Sequence, residues 1–313
     1  MQQITFQEVT EQLVQLYNQG KFAEAEQMIH QHADRFPEQA ARTAYWRMCL
    51  LSLDGRADDT LSVFRAGLES GLWWRSDVFD DPDLNRVRDL PGFKQLVTES
   101  QKKYEQARQY IEREYAVLAP DRPAPDPYPL LIFLHGRNGY KESNRAEWET
   151  ARQKGWLVLL AQSTQPLFPG SYCWDDPEQA MDDLHFYHAQ VSQDYSVDHQ
   201  RVILAGFSQG SGMAIHAALS GEFNARGFIG IASWSADPKS LVPQTEAAKH
   251  IRGYFMTGGK DHTYETAREI WNVMQEQGIS VAEELHPDLA HVFPPDFERS
   301  FDSAIEFILK EHE

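Results

Sequence analysis

The segment that most constrains the fold is 206–210, which reads Gly-Phe-Ser-Gln-Gly and directly follows the apolar run 201–205. A serine between two glycines, after a predicted strand and before a predicted helix, is typical of a nucleophile elbow. In so tight a turn the flanking positions have little room for side chains, and the serine hydroxyl points towards solvent. The helix N-terminus supplies N–H groups and a partial positive charge that favour an oxyanion. Ser208 is therefore the candidate nucleophile; a glycine-rich turn without chemistry is the alternative interpretation.

The chain beyond about residue 111 alternates short apolar runs with helical stretches. The predicted strands are 114–118, 130–134, 156–161, 202–205, 228–232, 253–257 and 280–285. Strands separated by helices predict right-handed βαβ units and a mostly parallel sheet, which is an α/β fold. Active sites in such sheets lie at the carboxyl ends of the strands, so the partners of Ser208 are expected there.

Residues 1 to about 110 have a different pattern, with helical periodicity and almost no strand signal. Gly20 and Gly55 interrupt two similar pairs of helical stretches and lie 35 residues apart. This spacing is close to the 34-residue period of tetratricopeptide helix pairs. We therefore predict an all-α, tetratricopeptide-like domain over 1–110, followed by an α/β domain over 111–313. The helical domain is a candidate surface for a protein partner or for self-association.

Composition narrows the classes of partner and compartment. Lys and Arg number 29 against 47 Asp and Glu, and the net charge of −18 disfavours binding to nucleic acid or anionic membrane surfaces. The two cysteines suggest no disulfide framework, and neither has a metal-ligand neighbour at zinc-site spacing. The first residues lack a secretory signal pattern, and no apolar run has the length of a membrane span. We expect a cytoplasmic protein with no cofactor, no metal and no membrane span.

A nucleophilic serine requires an acid that orients its base. When the chain order is serine, acid, histidine, the acid follows a later strand. Asp261 lies just past the predicted strand 253–257 and is the preferred candidate. The competing candidates are Asp237 and Asp288, and Asp261 could alternatively serve only as a turn or N-cap residue.

The base is expected near the C-terminus, after the last predicted strand. His291 follows the strand 280–285 and precedes the C-terminal helix, so it is the preferred base. His286 is the second candidate, although its position at a strand end suits a structural role. His262 adjoins Asp261 and is predicted to point away from the site.

Two backbone N–H groups are needed to bind the oxyanion. We predict that one belongs to Gln209, which follows the nucleophile, and that the other belongs to Arg137, in the loop after strand 130–134. His135 is predicted to brace that loop through hydrogen bonds. Phe168, Tyr172 and Trp174 lie in a long loop after the strand 156–161, where they either line the acyl pocket or pack the loop.

The combination of these motifs resembles the α/β-hydrolases over about residues 112–313. The matching segments are Leu134-His135-Gly136, Trp174-Asp175, 206–210, 258–261 and His291. The most similar subgroup is the phospholipase/carboxylesterase group, which includes acyl-protein thioesterases and has dienelactone hydrolases as relatives. The resemblance implies a metal-independent serine hydrolase that acts on carboxylic esters or thioesters.

We therefore expect a carboxylesterase with a small-molecule ester substrate, a Ser208–His291–Asp261 triad and an acyl-enzyme intermediate. Four alternatives stay open at this point: a thioesterase, a lysophospholipase-like acyl hydrolase, a peptidase on the same fold, and a non-catalytic interaction protein that binds through its helical repeats.

Overall fold

The computed structural model describes residues 4–121 and 126–310, and it forms two compact units. The first unit extends to Ile111 and also includes Pro166–Ser171; the second comprises Glu112–Gln165 and the chain from Tyr172 onwards. The predicted domain boundary at residue 110 assigns residues 166–171 to the C-terminal domain. The structure assigns this segment to the helical unit, because the N–H of Arg75 donates to the carbonyl of Leu167 at 2.8 Å and other side chains of the unit pack against the segment.

The first unit is helical, as predicted. Its α-helices are α1 (Phe6–Asn18), α2 (Phe22–His32), α3 (Ala40–Leu53), α4 (Ala57–Glu69) and α5 (Pro91–Ala107). The turns at Gly20 and Gly55 are equivalent, with φ of 70° and 79°, a conformation that favours glycine. In each turn, the N–H of the residue after the glycine donates to a carbonyl of the preceding helix. Lys21 donates to Leu16 at 3.0 Å, and Arg56 donates to Leu51 at 2.9 Å. The two glycines therefore close two helical hairpins of the same kind.

Aromatic side chains form the core at the C-terminal end of this unit. Phe64 contacts the rings of Trp74, Phe79 and Phe93 at centroid distances of 4.7 to 5.6 Å. Trp74 is fully buried, and its indole N–H donates to the carbonyl of Ala41 at 3.1 Å. This cluster joins α3, α4 and α5.

The second unit contains the sheet. Its strands are β1 (Tyr115–Leu118), β2 (Tyr128–Leu134), β3 (Leu157–Ala161), β6 (Val197–Phe207), β7 (Gly227–Ile231), β8 (Arg252–Gly258) and β9 (Ser280–His286). A separate two-stranded sheet consists of β4 (Gln165–Phe168) and β5 (Ser171–Cys173), and its residues 166–171 belong to the first unit. The seven-stranded sheet has the order β1-β3-β2-β6-β7-β8-β9. Only β1 runs antiparallel to its neighbour within this sheet. The predicted mostly parallel sheet is confirmed.

Helices cover both faces of this sheet, which explains the continuous apolar runs of its central strands. The helices are α6 (Arg145–Gln153), α7 (Pro177–Asp194), α8 (Gln209–Ser220), α9 (Tyr264–Glu276) and α10 (Phe297–Leu309). Along β2, Leu130, Ile132 and Leu134 belong to the core on one face of the sheet, which includes residues of α7, α8 and α9. Leu131 and Phe133 belong to the core on the other face, which includes residues of α6 and α10. In the described part of the chain, no helix is both long and apolar enough to cross a membrane.

Candidate active site

Ser208 occupies a strained turn between β6 and α8. Its φ of 54° and ψ of −122° are unfavourable for a residue with a side chain. Three backbone hydrogen bonds maintain this conformation. The Ser208 N–H donates to the Ile231 carbonyl at 2.9 Å, and the Ser208 carbonyl accepts from Ser211 at 2.9 Å and from Trp234 at 3.2 Å. The turn is thus anchored to the end of β7 and to the first turn of α8.

The glycines around Ser208 are required by close backbone approaches. A Cβ atom on Gly206 would collide with the carbonyl of Gly210, and one on Gly210 would collide with the carbonyls of Leu134 and His135. A third position, Gly212, lies against the carbonyl of Trp234 in the same way. The segment can therefore form this turn only with glycine on both sides of the serine.

Asp261 and His291 are joined by a hydrogen bond. His291 Nδ1 lies 2.8 Å from Asp261 Oδ1 and 3.0 Å from Oδ2. Oδ1 also accepts from the N–H and the hydroxyl of Thr263, at 2.8 and 2.9 Å. The Asp261 side chain is 1% exposed and that of His291 is 23% exposed. Because Nδ1 faces a carboxylate, it carries the proton, and Nε2 is the free acceptor.

Two adjacent glycines allow the His291 loop to approach Asp261. A Cβ on Gly258 would lie 2.5 Å from the Leu289 carbonyl, and one on Gly259 would lie 2.6 Å from the Pro287 carbonyl. The Lys260 N–H donates to the Leu289 carbonyl at 2.9 Å. Asp261 was predicted from its place after the strand 253–257, and Gly258 and Gly259 were given no separate role. Because these two glycines have no side chains, the loop that carries His291 can pack directly against them. A pair of glycines after a strand could have indicated such a close approach.

Burial lowers the pKa of His291 below its ordinary value of 6.5, because desolvation disfavours the imidazolium. The Asp261 carboxylate acts in the opposite direction, and His262 nearby lowers the pKa further. Contrary to the prediction that its side chain points away, His262 lies against the base, with 4.4 Å between the ring centroids. Residues 261 and 262 adjoin, and the turn after β8 directs both towards His291.

Ser208 and His291 are connected through Phe207. The Phe207 ring contacts the His291 ring at a centroid distance of 4.8 Å and stacks on Phe293 at 5.3 Å. The hydrogen bonds of residues 4–121 and 126–310 include none between the Ser208 hydroxyl and His291. A nucleophile–base hydrogen bond is often long without substrate and shortens when substrate is bound.

The two residues predicted to supply oxyanion donors are linked by one carboxylate. Asp175 Oδ1 accepts from Arg137 Nη1 at 2.7 Å and from Gln209 Nε2 at 2.6 Å. The N–H of Trp174 donates to Gln209 Oε1 at 3.0 Å, so both ends of this amide are held. Sequence analysis gave no role to Asp175, because the contact joins three distant segments of the chain.

The loop that carries Arg137 is braced by His135. A Cβ on Gly136 would lie 3.4 Å from Ser208 Cβ, which places this loop beside the serine. His135 is fully buried, with Nδ1 2.8 Å from the Gly136 carbonyl, and its Nε2 accepts from the Ser163 N–H at 3.3 Å. Burial lowers the pKa of His135 to about 4. The ring is therefore neutral and holds β2 and the chain after β3 together.

The three aromatic residues proposed for the pocket are found in different surroundings. Trp174 lines a cavity of about 350 Å³ beside Gln209, together with Met213 and Trp234. The backbone of Tyr172 pairs with Gly139. Phe168 belongs to the helical unit, where it is 2% exposed and its ring stacks on Tyr45 at 5.9 Å. Phe168 is therefore a packing residue, which was the alternative to lining the acyl pocket.

The competing acid and base candidates have other contacts. Asp237 accepts from the N–H of Lys239 and caps a short helical turn. Asp288 is exposed and pairs with Lys260 at 2.6 Å. His286 ends β9, and its Nε2 lies 3.2 Å from Glu284 on the same strand.

Family comparisons match both parts of the chain. Residues 5–108 match the family described as A/B hydrolase-like, N-terminal domain, and residues 179–311 match the Phospholipase/Carboxylesterase family. The second match includes the segments that carry Ser208, Asp261 and His291.

Individual proteins are similar to one or both parts. A bifunctional acetylxylan esterase/xylanase from Neocallimastix patriciarum is 34% identical over 112 residues, which cover 34% of this chain and 16% of that protein. An uncharacterized protein from Bacillus cereus has the same fold over 98% of this chain and 99% of its own, with 22% identity and a TM-score of 0.54. Esterase PE8 matches 64% of this chain over its full length, with 16% identity and a TM-score of 0.53.

Proposed function

Because the chain is an α/β-hydrolase with a phospholipase/carboxylesterase domain and an N-terminal helical A/B hydrolase-like domain, we propose that it cleaves carboxylic esters with Ser208 as the nucleophile. The observation that carries this proposal is the hydrogen-bonded pair of His291 and the buried Asp261, whose histidine ring contacts Phe207, the residue before Ser208 in its strained turn. An acid, a base and a nucleophile at the carboxyl ends of β8, β9 and β6 form the arrangement that acyl transfer requires.

In the proposed acylation step, His291 Nε2 takes the proton of the Ser208 hydroxyl as its oxygen attacks the ester carbonyl carbon. Asp261 holds Nδ1–H and stabilises the imidazolium that forms. The backbone N–H groups of Gln209 and Arg137 bind the oxyanion of the tetrahedral intermediate. When this intermediate collapses, the alkoxide leaves and receives the proton from His291.

Deacylation uses the same groups. His291 Nε2 takes a proton from water as the water oxygen attacks the acyl carbonyl carbon. When this second tetrahedral intermediate collapses, the bond to Ser208 Oγ breaks, the carboxylic acid leaves, and His291 returns the proton to Ser208 Oγ. The lowered pKa of His291 supports this role, because a base must be unprotonated to accept a proton at neutral pH. Burial beside Asp261 thus keeps the imidazole neutral until the reaction makes it positive.

The choice of ester as substrate is supported by the carboxylesterase family model. The acetylxylan esterase relative acts, by its name, on acetyl esters, and the chain spans about a sixth of its length. A cavity of about 350 Å³ beside Gln209 offers space for a small substrate group. We accordingly propose short-chain carboxylic esters as the first substrates to test.

The direct test combines fluorophosphonate labelling with hydrolysis of p-nitrophenyl esters of increasing chain length. Wild-type protein is expected to be labelled and to hydrolyse acetate or butyrate esters, and Ser208→Ala is expected to lose both properties. Ser280→Ala, an exposed serine at the start of β9, is the matched control. Labelling that persists in Ser208→Ala would contradict the assigned nucleophile. Parallel thioester and peptide substrates separate the esterase from a thioesterase or a peptidase.

A further inference from the structure

A second histidine lies at the solvent side of the Asp261–His291 pair. The His262 side chain is 74% exposed, and its Nδ1 is 3.6 Å from Asp261 Oδ1. Its ring lies 4.4 Å from that of His291, at an interplanar angle of 52°. The mechanism proposed above gives His262 no role. Two imidazoles and a carboxylate are nevertheless gathered at one point of the surface.

One nitrogen atom of each imidazole and one carboxylate oxygen of Asp261 lie within 4.8 Å of one another. A tetrahedral Zn²⁺ with bonds of about 2.0–2.2 Å separates its ligand atoms by roughly 3.3 Å. The exposed His262 ring can rotate to reach this distance, while the other two ligands are already adjacent. Asp261 Oδ1 accepts two hydrogen bonds from Thr263, whereas Oδ2 is bonded only to His291 Nδ1, at 3.0 Å, among the described residues, so Oδ2 has more capacity left for an ion.

We propose that Asp261, His262 and His291 form a binding site for Zn²⁺, and that Zn²⁺ in this site inhibits hydrolysis reversibly. The inhibition rests on the function proposed above, whereas binding of the ion does not. Imidazole nitrogen and carboxylate oxygen suit Zn²⁺, while Mg²⁺ and Ca²⁺ prefer oxygen ligands alone. Three protein ligands leave the fourth position to water, so the ion can enter and leave from the exposed side.

Inhibition follows from the tautomer of His291. Zn²⁺ binds the lone pair of Nδ1, so the proton that Nδ1 donated to Asp261 moves to Nε2 and the imidazole stays neutral. Nε2–H is a donor and can no longer accept the proton of Ser208. The ion also takes the Asp261 oxygen that stabilises the imidazolium. Zn²⁺ therefore removes the base without touching the nucleophile.

Binding is tested by titrating Zn²⁺ alone into Ser208→Ala protein, which separates the ion site from turnover. One ion per chain is expected, competing with a chromophoric chelator. Adding His262→Ala is expected to weaken the affinity about tenfold or more, because one of three ligands is lost. His250→Ala, an exposed histidine of the same unit, is the matched control. Equal affinity with and without His262 overturns the site.

Inhibition is tested on the active protein, with each variant compared with its own rate in the absence of metal. Micromolar Zn²⁺ is expected to inhibit the wild type, whereas equal Mg²⁺ or Ca²⁺ is not. His262→Ala is expected to raise the half-inhibiting concentration of Zn²⁺ about tenfold, and His250→Ala is expected to leave it unchanged. Zn²⁺ binding through His262 without loss of hydrolysis would overturn the inhibitory role. If Zn²⁺ binds through His262 but the wild-type protein cleaves no ester, the metal site is upheld and the proposed function is contradicted.

Discussion

The Gln209 side-chain amide donates to Asp175 Oδ1 at 2.6 Å, although the two residues are 34 positions apart. The same oxygen accepts from Arg137 at 2.7 Å. One carboxylate thus ties together the two residues whose backbone N–H groups are proposed to bind the oxyanion. We predict that Asp175 is a positioning residue, which acts through its hydrogen bonds to Arg137 and Gln209.

Replacing Asp175 with Ala is expected to lower kcat about tenfold with little change in KM. The full loss of one oxyanion donor costs about 10²- to 10³-fold in rate, and a displaced donor should cost less. Steady-state kinetics on a p-nitrophenyl ester provide the measurement. Asp175→Asn keeps an acceptor oxygen and should recover part of the rate, while Asp182→Ala, an exposed acid on α7, should behave as the wild type. Unchanged kcat in Asp175→Ala would refute the positioning role.

Thr263→Val is expected to reduce kcat about fivefold, because one hydrogen bond to the buried Asp261 carboxylate is lost while its N–H bond is kept. A hydrogen bond to a charged group contributes about 1.5–3 kcal/mol to stability, so the free energy of unfolding should also fall. Thr263→Ser retains the hydroxyl and is the matched control. Kinetics and urea denaturation measure the two effects. If valine and serine variants have equal rates, the hydroxyl does not orient Asp261.

Gly210→Ala is expected to lower the free energy of unfolding by about 3 kcal/mol or more, or to prevent folding. Its Cβ would meet two backbone carbonyls, which cannot move aside as a side chain can. Gly278→Ala is the contrasting variant, because Gly278 has φ of 72° but open space around it. That change should cost only about 1–2 kcal/mol, the penalty of the left-handed conformation. Denaturant unfolding of both variants provides the comparison, and equal losses would contradict the steric account.

Stability is expected to fall as the pH is lowered, in part through His135. The pKa of His135 is about 4 in the folded protein and 6.5 in an ordinary setting, so between these values the unfolded chain binds more protons. The contribution is complete above pH 6.5 and is lost as the pH falls towards 4. Between pH 7.5 and pH 5, the contribution of His135 to the free energy of unfolding falls by about 2 kcal/mol.

Urea denaturation of the wild type and of His135→Gln at both pH values measures this contribution. The variant should be less stable at pH 7.5 but should lose about 2 kcal/mol less on acidification. His250→Gln, an exposed histidine, serves as the control and should follow the wild type. An identical pH dependence in His135→Gln would show that His135 is not the source.

Much of the fold could be predicted because it depends on local patterns. Each predicted strand of the second unit overlaps an observed strand, since a run of buried side chains between helices has few other structures available. The strand ends differ more: β6 begins at Val197, five residues before the predicted strand 202–205, because polar residues such as His199 extend it. The helical hairpins followed from Gly20 and Gly55 for the same local reason.

The chain order and strand ends also sufficed to select Ser208, Asp261 and His291 as candidates. Contacts between distant segments were not accessible in this way. The bridge from Asp175 to Arg137 and Gln209 and the position of His262 on His291 depend on distances across the molecule. The packing of Phe168 could not be predicted from the sequence either, because Phe168 follows a strand of the sheet along the chain but packs in the helical unit.

Periodicity and glycine placement are local properties of a chain. They were therefore enough to predict the two kinds of architecture, the turn that presents Ser208 and the residue types available for acid–base chemistry. Which carboxylate meets His291, and which side chain contacts both Arg137 and Gln209, could be seen only in the tertiary structure. It also decided that a second imidazole lies within reach of the first. These relationships arise because β6, β7, β8 and β9 lie in this order in one sheet, which sets distances that sequence spacing does not record.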